Sequence, residues 1–139
     1  MAFLILSGLV STGAAPLASL EIHIEGLRSA KGQVLACLFS ERAGFPDCSK
    51  SGTARRGTMA AEEGGVLRFE GLPSGAYAAS LIHDENGNDK LDTRIGIPAE
   101  GIAFSRNPRF TFGPPRYRAA TFDVGSGVVE ERVRFRYFL

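Results

Sequence analysis

Leu20-Glu21-Ile22-His23-Ile24-Glu25-Gly26 alternates apolar and polar side chains without a break. Successive strand residues point to opposite faces, so this period of two marks a strand with one buried face and one wet face. Leu20, Ile22 and Ile24 then face a core, and His23 falls on the polar side as an exposed, idle residue. Val34-Leu35-Ala36-Cys37-Leu38-Phe39, within residues 33–39, is a near-continuous apolar run. It fits a central strand buried on both faces. Residues 76–83 form the next strand, with Tyr77, Ala79, Leu81 and His83 on one face and Ala78, Ser80 and Ile82 on the other. The turn before it, Gly71-Leu72-Pro73-Ser74-Gly75, has Pro to preset φ and Gly to accept positive φ.

Weaker strand patterns cover residues 53–60 and 66–70. Residues 119–124 and 128–137 flank Gly125-Ser126-Gly127 and read as a terminal hairpin. In its second arm Val129, Val133, Phe135 and Tyr137 share one face. Arg132, Arg134 and Arg136 share the other, which reads as a solvated strand face. Residues 93–117, rich in Gly and Pro, form a long irregular segment whose aromatic side chains argue for packing rather than disorder. Glycine supplies 17 of 139 residues, above the usual share of about 7%, so turns are frequent. No segment carries a 3.6-residue period. The expected fold is all-β: an antiparallel β-sandwich of immunoglobulin or transthyretin type, with seven or eight strands in one domain. A small barrel is the runner-up.

Residues 1–19 read as a secretory leader. Ala2-Phe3-Leu4-Ile5-Leu6 and Gly8-Leu9-Val10 form its apolar core, and Ser11-Thr12-Gly13-Ala14-Ala15 its small-residue exit. The Lys or Arg that normally opens such a leader is missing, so the true start is expected upstream. An uncleaved apolar strand or helix is the alternative. The run is too short to span a bilayer. The domain is then residues 20–139, periplasmic or secreted, with no stable membrane insertion after the leader is removed. The formal net charge of +1 provides no strong field for nucleic acid. In an oxidising compartment the two cysteines, Cys37 and Cys48, are expected to bridge.

The densest set of oxygen-bearing side chains is His83-Asp84-Glu85-Asn86-Gly87-Asn88-Asp89-Lys90-Leu91-Asp92. Calcium takes six to eight oxygen ligands, and alternating residues in a tight loop can converge on it. Asp84, Asn86 and Asn88 hold positions 1, 3 and 5 of such a loop, and Asp92 holds position 9. Position 6 is Asp89 where an EF-hand needs Gly, and position 12 is Ile95 where it needs Glu. The loop is therefore not an EF-hand. A remote carboxylate such as Glu100 is expected to close it around Ca2+. Two other readings stand beside this one. Asn86-Gly87 is a favoured hairpin pair, so the loop also suits a plain polar tip. A transition metal could instead use His83.

The chain resembles a known bacterial family. The residues that carry the likeness are Phe45-Pro46-Asp47-Cys48, Gly71-Leu72-Pro73-Ser74-Gly75-Ala76-Tyr77-Ala78, His83-Asp84-Glu85-Asn86-Gly87-Asn88, Lys90-Leu91-Asp92, Gly96-Ile97-Pro98, Glu100-Gly101, Phe104-Ser105 and Phe112-Gly113-Pro114-Pro115. The family is catalogued as domain of unknown function 2141, and the likeness runs over about residues 20–137. It implies export and a β-sandwich, and no established activity. That family usually has Gly where this chain has Asp89, which leaves either a strained loop or an added ligand. Transthyretin-fold hydroxyisourate hydrolases end in Tyr-Arg-Gly-Ser. This chain ends Arg136-Tyr137-Phe138-Leu139, so that enzyme reading loses its key motif.

The expected function is an exported, non-enzymatic binding or structural module stabilised by calcium. Its partner, a protein or a small molecule, would meet residues 84–92 and 93–117. One alternative is a small metal-dependent hydrolase using His83 and its neighbouring carboxylates. Another is a carrier with an apolar cavity lined by Phe104, Phe110 or Phe112.

Overall fold

The computed structural model describes Gly8, residues 16–110 and residues 112–139. Most of the expected leader lies outside the described residues. In chain order the strands are β1 (Ala18–Glu25), β2 (Gln33–Phe39), β3 (Arg55–Ala60), β4 (Val66–Leu72), β5 (Gly75–Asp84), β6 (Thr93–Arg94), β7 (Ile97–Pro98), β8 (Gly101–Phe104), β9 (Thr121–Val124) and β10 (Gly127–Arg134). A 3-10 turn, Cys48–Lys50, follows β2, and the single-turn helix α1 (Tyr117–Ala120) precedes β9. Among the described residues no helix is long and apolar enough to cross a membrane.

Two sheets face each other. The first has the order β10-β1-β4. The second runs β3-β2-β5, with β8 and β9 both paired to β5. Leu20, Ile22 and Ile24 point inward as the alternation requires, and none is exposed to solvent. They pack with Leu67, Phe69, Val133 and Phe135 of their own side against Val34, Leu38, Tyr77, Ala79 and Leu81 of the other. The all-β sandwich is therefore the observed architecture. β2 is buried on both sides, since Cys37 and Phe39 are as enclosed as Val34 and Leu38. Its outer face lies under the loop that Cys37 and Cys48 pin down by a disulfide, with Cα atoms 5.8 Å apart. Phe45 plugs that loop, edge-on to Phe39 at 5.2 Å and to Tyr117 at 5.5 Å.

β8 pairs with residues 80–83 of β5, and β9 with residues 75–78. Ala79 falls in the gap between them. Ser105 closes that gap. Its N–H donates to the Ala79 carbonyl at 3.1 Å, and its hydroxyl accepts from the Ala79 N–H at 2.9 Å and donates to the Ala120 carbonyl. A buried strand end would otherwise leave polar groups unpaired.

Two expectations need correction. The terminal hairpin does not form: β9 joins β5 in one sheet, and β10 runs parallel to β1 in the other, from Ala18↔Gly127 to Glu25↔Arg134. Gly125-Ser126-Gly127 is thus a crossing between sheets, because alternation fixes which face is buried and not which strand is the neighbour. The sandwich is accordingly antiparallel except for this one pair. Residues 93–117 are less irregular than expected, since they hold β6, β7 and the fully buried β8. β1 begins at the buried Ala18, within the residues read as a leader.

Candidate site: a carboxylate clamp beside an apolar groove

Asp84 is the last residue of β5 and has no exposed surface. A buried carboxylate needs donors, and Asp84 has three. The Asn88 N–H reaches Oδ1 at 3.2 Å, while the Asp89 N–H and the Gln33 side-chain amide each reach Oδ2 at 2.9 Å. The loop is thereby wound around the Asp84 carboxylate. Asp89 adopts the left-handed conformation, with φ of 62°, as expected for a residue standing in a glycine position. Its carboxylate takes the Gln33 amide at 2.7 Å rather than turning toward the loop interior.

Asn86 and Asn88 both donate to Asp92, at 2.8 and 2.9 Å. These hydrogen bonds hold the Asp92 carboxyl below its usual range. Glu100 lies across from it, just beyond β7, and is 5% exposed. Its Oε2 is buried without a hydrogen-bond partner. Burial, followed by the negative charges of Asp92 and Asp84, pushes the Glu100 carboxyl up to about 7. Asp92 and Glu100 also bracket the β6–β7 hairpin, which the Ala99 N–H closes onto the Asp92 carbonyl at 2.8 Å. Asp84, Asn86, Asn88, Asp92 and Glu100 thus meet at the base of one hairpin. Their carboxylates are more widely spaced than in a tight metal triad. Among the described residues, the group whose ligand atoms all lie within 4.8 Å of one another is Glu21, His23 and Glu130, on the outer face of the first sheet. His23 is correspondingly not the idle exposed residue expected: its Nε2 lies 3.7 Å from Glu21 and 3.6 Å from Glu130.

His83 is fully buried on the inner face of β5. Its Nδ1 lies 2.8 Å from the Tyr137 hydroxyl and its Nε2 2.8 Å from the Lys31 carbonyl oxygen. With both ring nitrogens engaged, His83 presents no lone pair to a metal in this arrangement. Sequence reasoning missed Gln33 and Tyr137, the partners of Asp84 and His83. Gln33 comes to Asp84 because the two are register partners in β2 and β5, which no local pattern reveals.

The hairpin forms one wall of an apolar groove over the outer face of the second sheet. Ile82, Ile102 and Phe104 line its floor side, and Leu91, Ile97, Phe110 and Phe112 its cover, around about 660 Å³. The three phenylalanines named from sequence all line it. A second depression shares Pro46, Ser80, Ile82 and Leu91 with the first, and carries Asp47, Arg56, Asp89 and Lys90.

The fold and these features define a disulfide-bonded β-sandwich whose loops build a carboxylate clamp next to an apolar groove. The chain belongs to the family described as uncharacterized protein conserved in bacteria (DUF2141), whose model matches residues 22–132. No curated protein and no solved structure matches the chain at a significant level.

Proposed function

We propose that the protein is an exported, non-enzymatic binding module, and that a calcium ion at the clamp holds the groove wall in shape. The observation that carries the reading is the buried, unpartnered Glu100 oxygen facing Asp84 and Asp92. Like charges gathered out of water are costly unless a cation or a proton joins them. Calcium suits the donor set, which is all oxygen once the Asn86 and Asn88 amides turn their Oδ1 atoms inward. Asp84 would act from behind, since its carboxylate already organises the loop. The cation would tie residues 84–92 to both ends of the β6–β7 hairpin, and so to Ile97 in the groove wall. The disulfide supports export, because such bonds persist in oxidising compartments. The commitment of both His83 nitrogens supports a binding role over hydrolysis.

Thermal melting in calcium and in chelator tests this. At about 100 times its dissociation constant, calcium should add about 2.7 kcal/mol. Identical melting curves with calcium and with chelator would remove the ion from the reading.

A further inference from the structure

The groove has one chemical character inside and another at its mouth. Ile82, Ile102, Phe104 and Phe110 line it, and the Ser80 hydroxyl in its wall is already donated to the Pro46 carbonyl at 2.9 Å. A sugar or nucleotide would find almost nothing there to pair with its hydroxyls, and unpaired polar groups oppose binding. The volume of about 660 Å³ lies within the range of small-molecule sites.

The mouth is basic. Arg136 is exposed and stacks over two rings of the lining, with its guanidinium carbon 4.7 Å from the Phe110 centroid and 5.6 Å from that of Phe138. Its Nη1 also donates to the Phe110 carbonyl at 3.3 Å. Between residues 93 and 118 the chain carries five arginines (Arg94, Arg106, Arg109, Arg116 and Arg118) against a single acid, Glu100. That local excess of four positive charges stands out in a chain of net +1.

We infer that the groove binds a small amphipathic anion, an aliphatic chain ending in a carboxylate, with the chain among Ile82, Ile102 and Phe104 and the anion at Arg136. The inference rests on the binding-module reading and supplies its ligand class. A second copy of this chain fits less well, because a two-fold interface sets the same patch against itself and would oppose the arginines to one another. A flat bilayer surface does not fill a concave site, although the fully exposed Phe112 makes vesicle binding the necessary control.

The test is calorimetric titration of the intact protein with decanoate, decanol and decyltrimethylammonium, below their micellar concentrations, once in chelator and once in calcium. One decanoate should bind per chain, with decanol about tenfold weaker and the cation weaker still. Arg136→Gln, on an exposed side chain, should bring decanoate down to the level of decanol. Ile82→Trp, which fills the groove, should abolish binding of both. Equal affinity for the anionic and cationic probes, or no saturable decanoate binding in either condition, would overturn the inference. So would a dimer that excludes decanoate, or sedimentation with phosphatidylglycerol vesicles in place of decanoate binding. Because ligand is titrated both with and without calcium and calcium is tested without ligand, failure of the ion and failure of the groove are read separately.

Discussion

The hydroxyl of the half-buried Tyr137 and Nδ1 of the buried His83 lie 2.8 Å apart. The polarity of this pair follows from its neighbours. A carbonyl only accepts, so Lys31 places the proton of the neutral ring on His83 Nε2. Nδ1 then accepts from Tyr137, whose oxygen in turn accepts the Arg28 N–H at 3.1 Å. Arg28 continues the network, stacking on the Tyr137 ring at 4.5 Å and bonding the Glu85 carboxylate at 2.6 Å.

Tyr137→Phe would strand a buried imidazole nitrogen and the Arg28 N–H. A loss of about 1–3 kcal/mol is expected, because the cost is that of leaving a buried group unsatisfied. Urea unfolding of the two proteins measures it. A loss within about 0.5 kcal/mol, as for an ordinary surface change, would mean that the network does not support the fold.

Glu100 gives stability a pH dependence of defined sign. Its pKa rises from 4.5 in the unfolded chain to about 7 in the fold. The folded state therefore holds the extra proton between these values, and stability falls as pH rises through that window. The full effect is at most about 3 kcal/mol. Glu85 works in the opposite direction: burial alone would raise its carboxyl, but bonds from Arg28 and Ser29 hold it low. Its contribution is present above 4.5 and is lost as pH falls through its lowered folded value. Glu100→Gln should flatten the fall between pH 4.5 and 7 and stabilise the metal-free protein at pH 8. The same variant should lose most of its response to calcium. Melting curves across pH, with chelator and with calcium, follow all three effects, and an unchanged pH profile would contradict this account of Glu100.

Gly101 opens β8 against the Tyr137 ring. A methyl group placed there would lie 2.4 Å from Tyr137 Cε1, a contact no real side chain makes. Gly101→Ala should cost about 1–3 kcal/mol as an overpacked site. Gly64→Ala is not a clean comparison, since Gly64 has positive φ. Gly125, which has open space and no positive φ, is the better control and should tolerate Ala. Equal midpoints for the two variants in urea would show that β8 gives way freely.

The Cys37–Cys48 bond closes a loop of eleven residues in sequence separation. In the chain-entropy model a loop of this size is worth about 3 kcal/mol. The double variant Cys37→Ala with Cys48→Ala should unfold at correspondingly lower urea. Because the loop carries Phe45 against Phe104 at 6.1 Å, decanoate binding should weaken as well. Unchanged binding in a destabilised but folded protein would show that the groove is held without the bridge.

Burial was the legible part of this chain. Leu20, Ile22 and Ile24 announce their inward face by alternation, and residues 34–39 announce a doubly buried strand by being apolar throughout. Neither pattern names a neighbour. The parallel pairing of β10 with β1 was therefore missed, and a Gly-Ser-Gly crossing between sheets looked like a hairpin. β8 was missed for a related reason: four residues, all buried, offer no period to read.

The sequence by itself determined the strand class, the inward faces, the pair of cysteines and the set of oxygen-bearing residues around Asp84. These depend on side-chain chemistry and short-range spacing, which the chain carries with it. Only the tertiary structure decided that Glu100 would be buried against Asp84 and Asp92 with one oxygen unpartnered. It also decided that His83 would spend both nitrogens on Tyr137 and Lys31, and that Arg136 would stack on Phe110 and Phe138 beside an apolar groove. Those outcomes turn on desolvation and on contacts between residues far apart in the chain, which exist only after the sheets have closed.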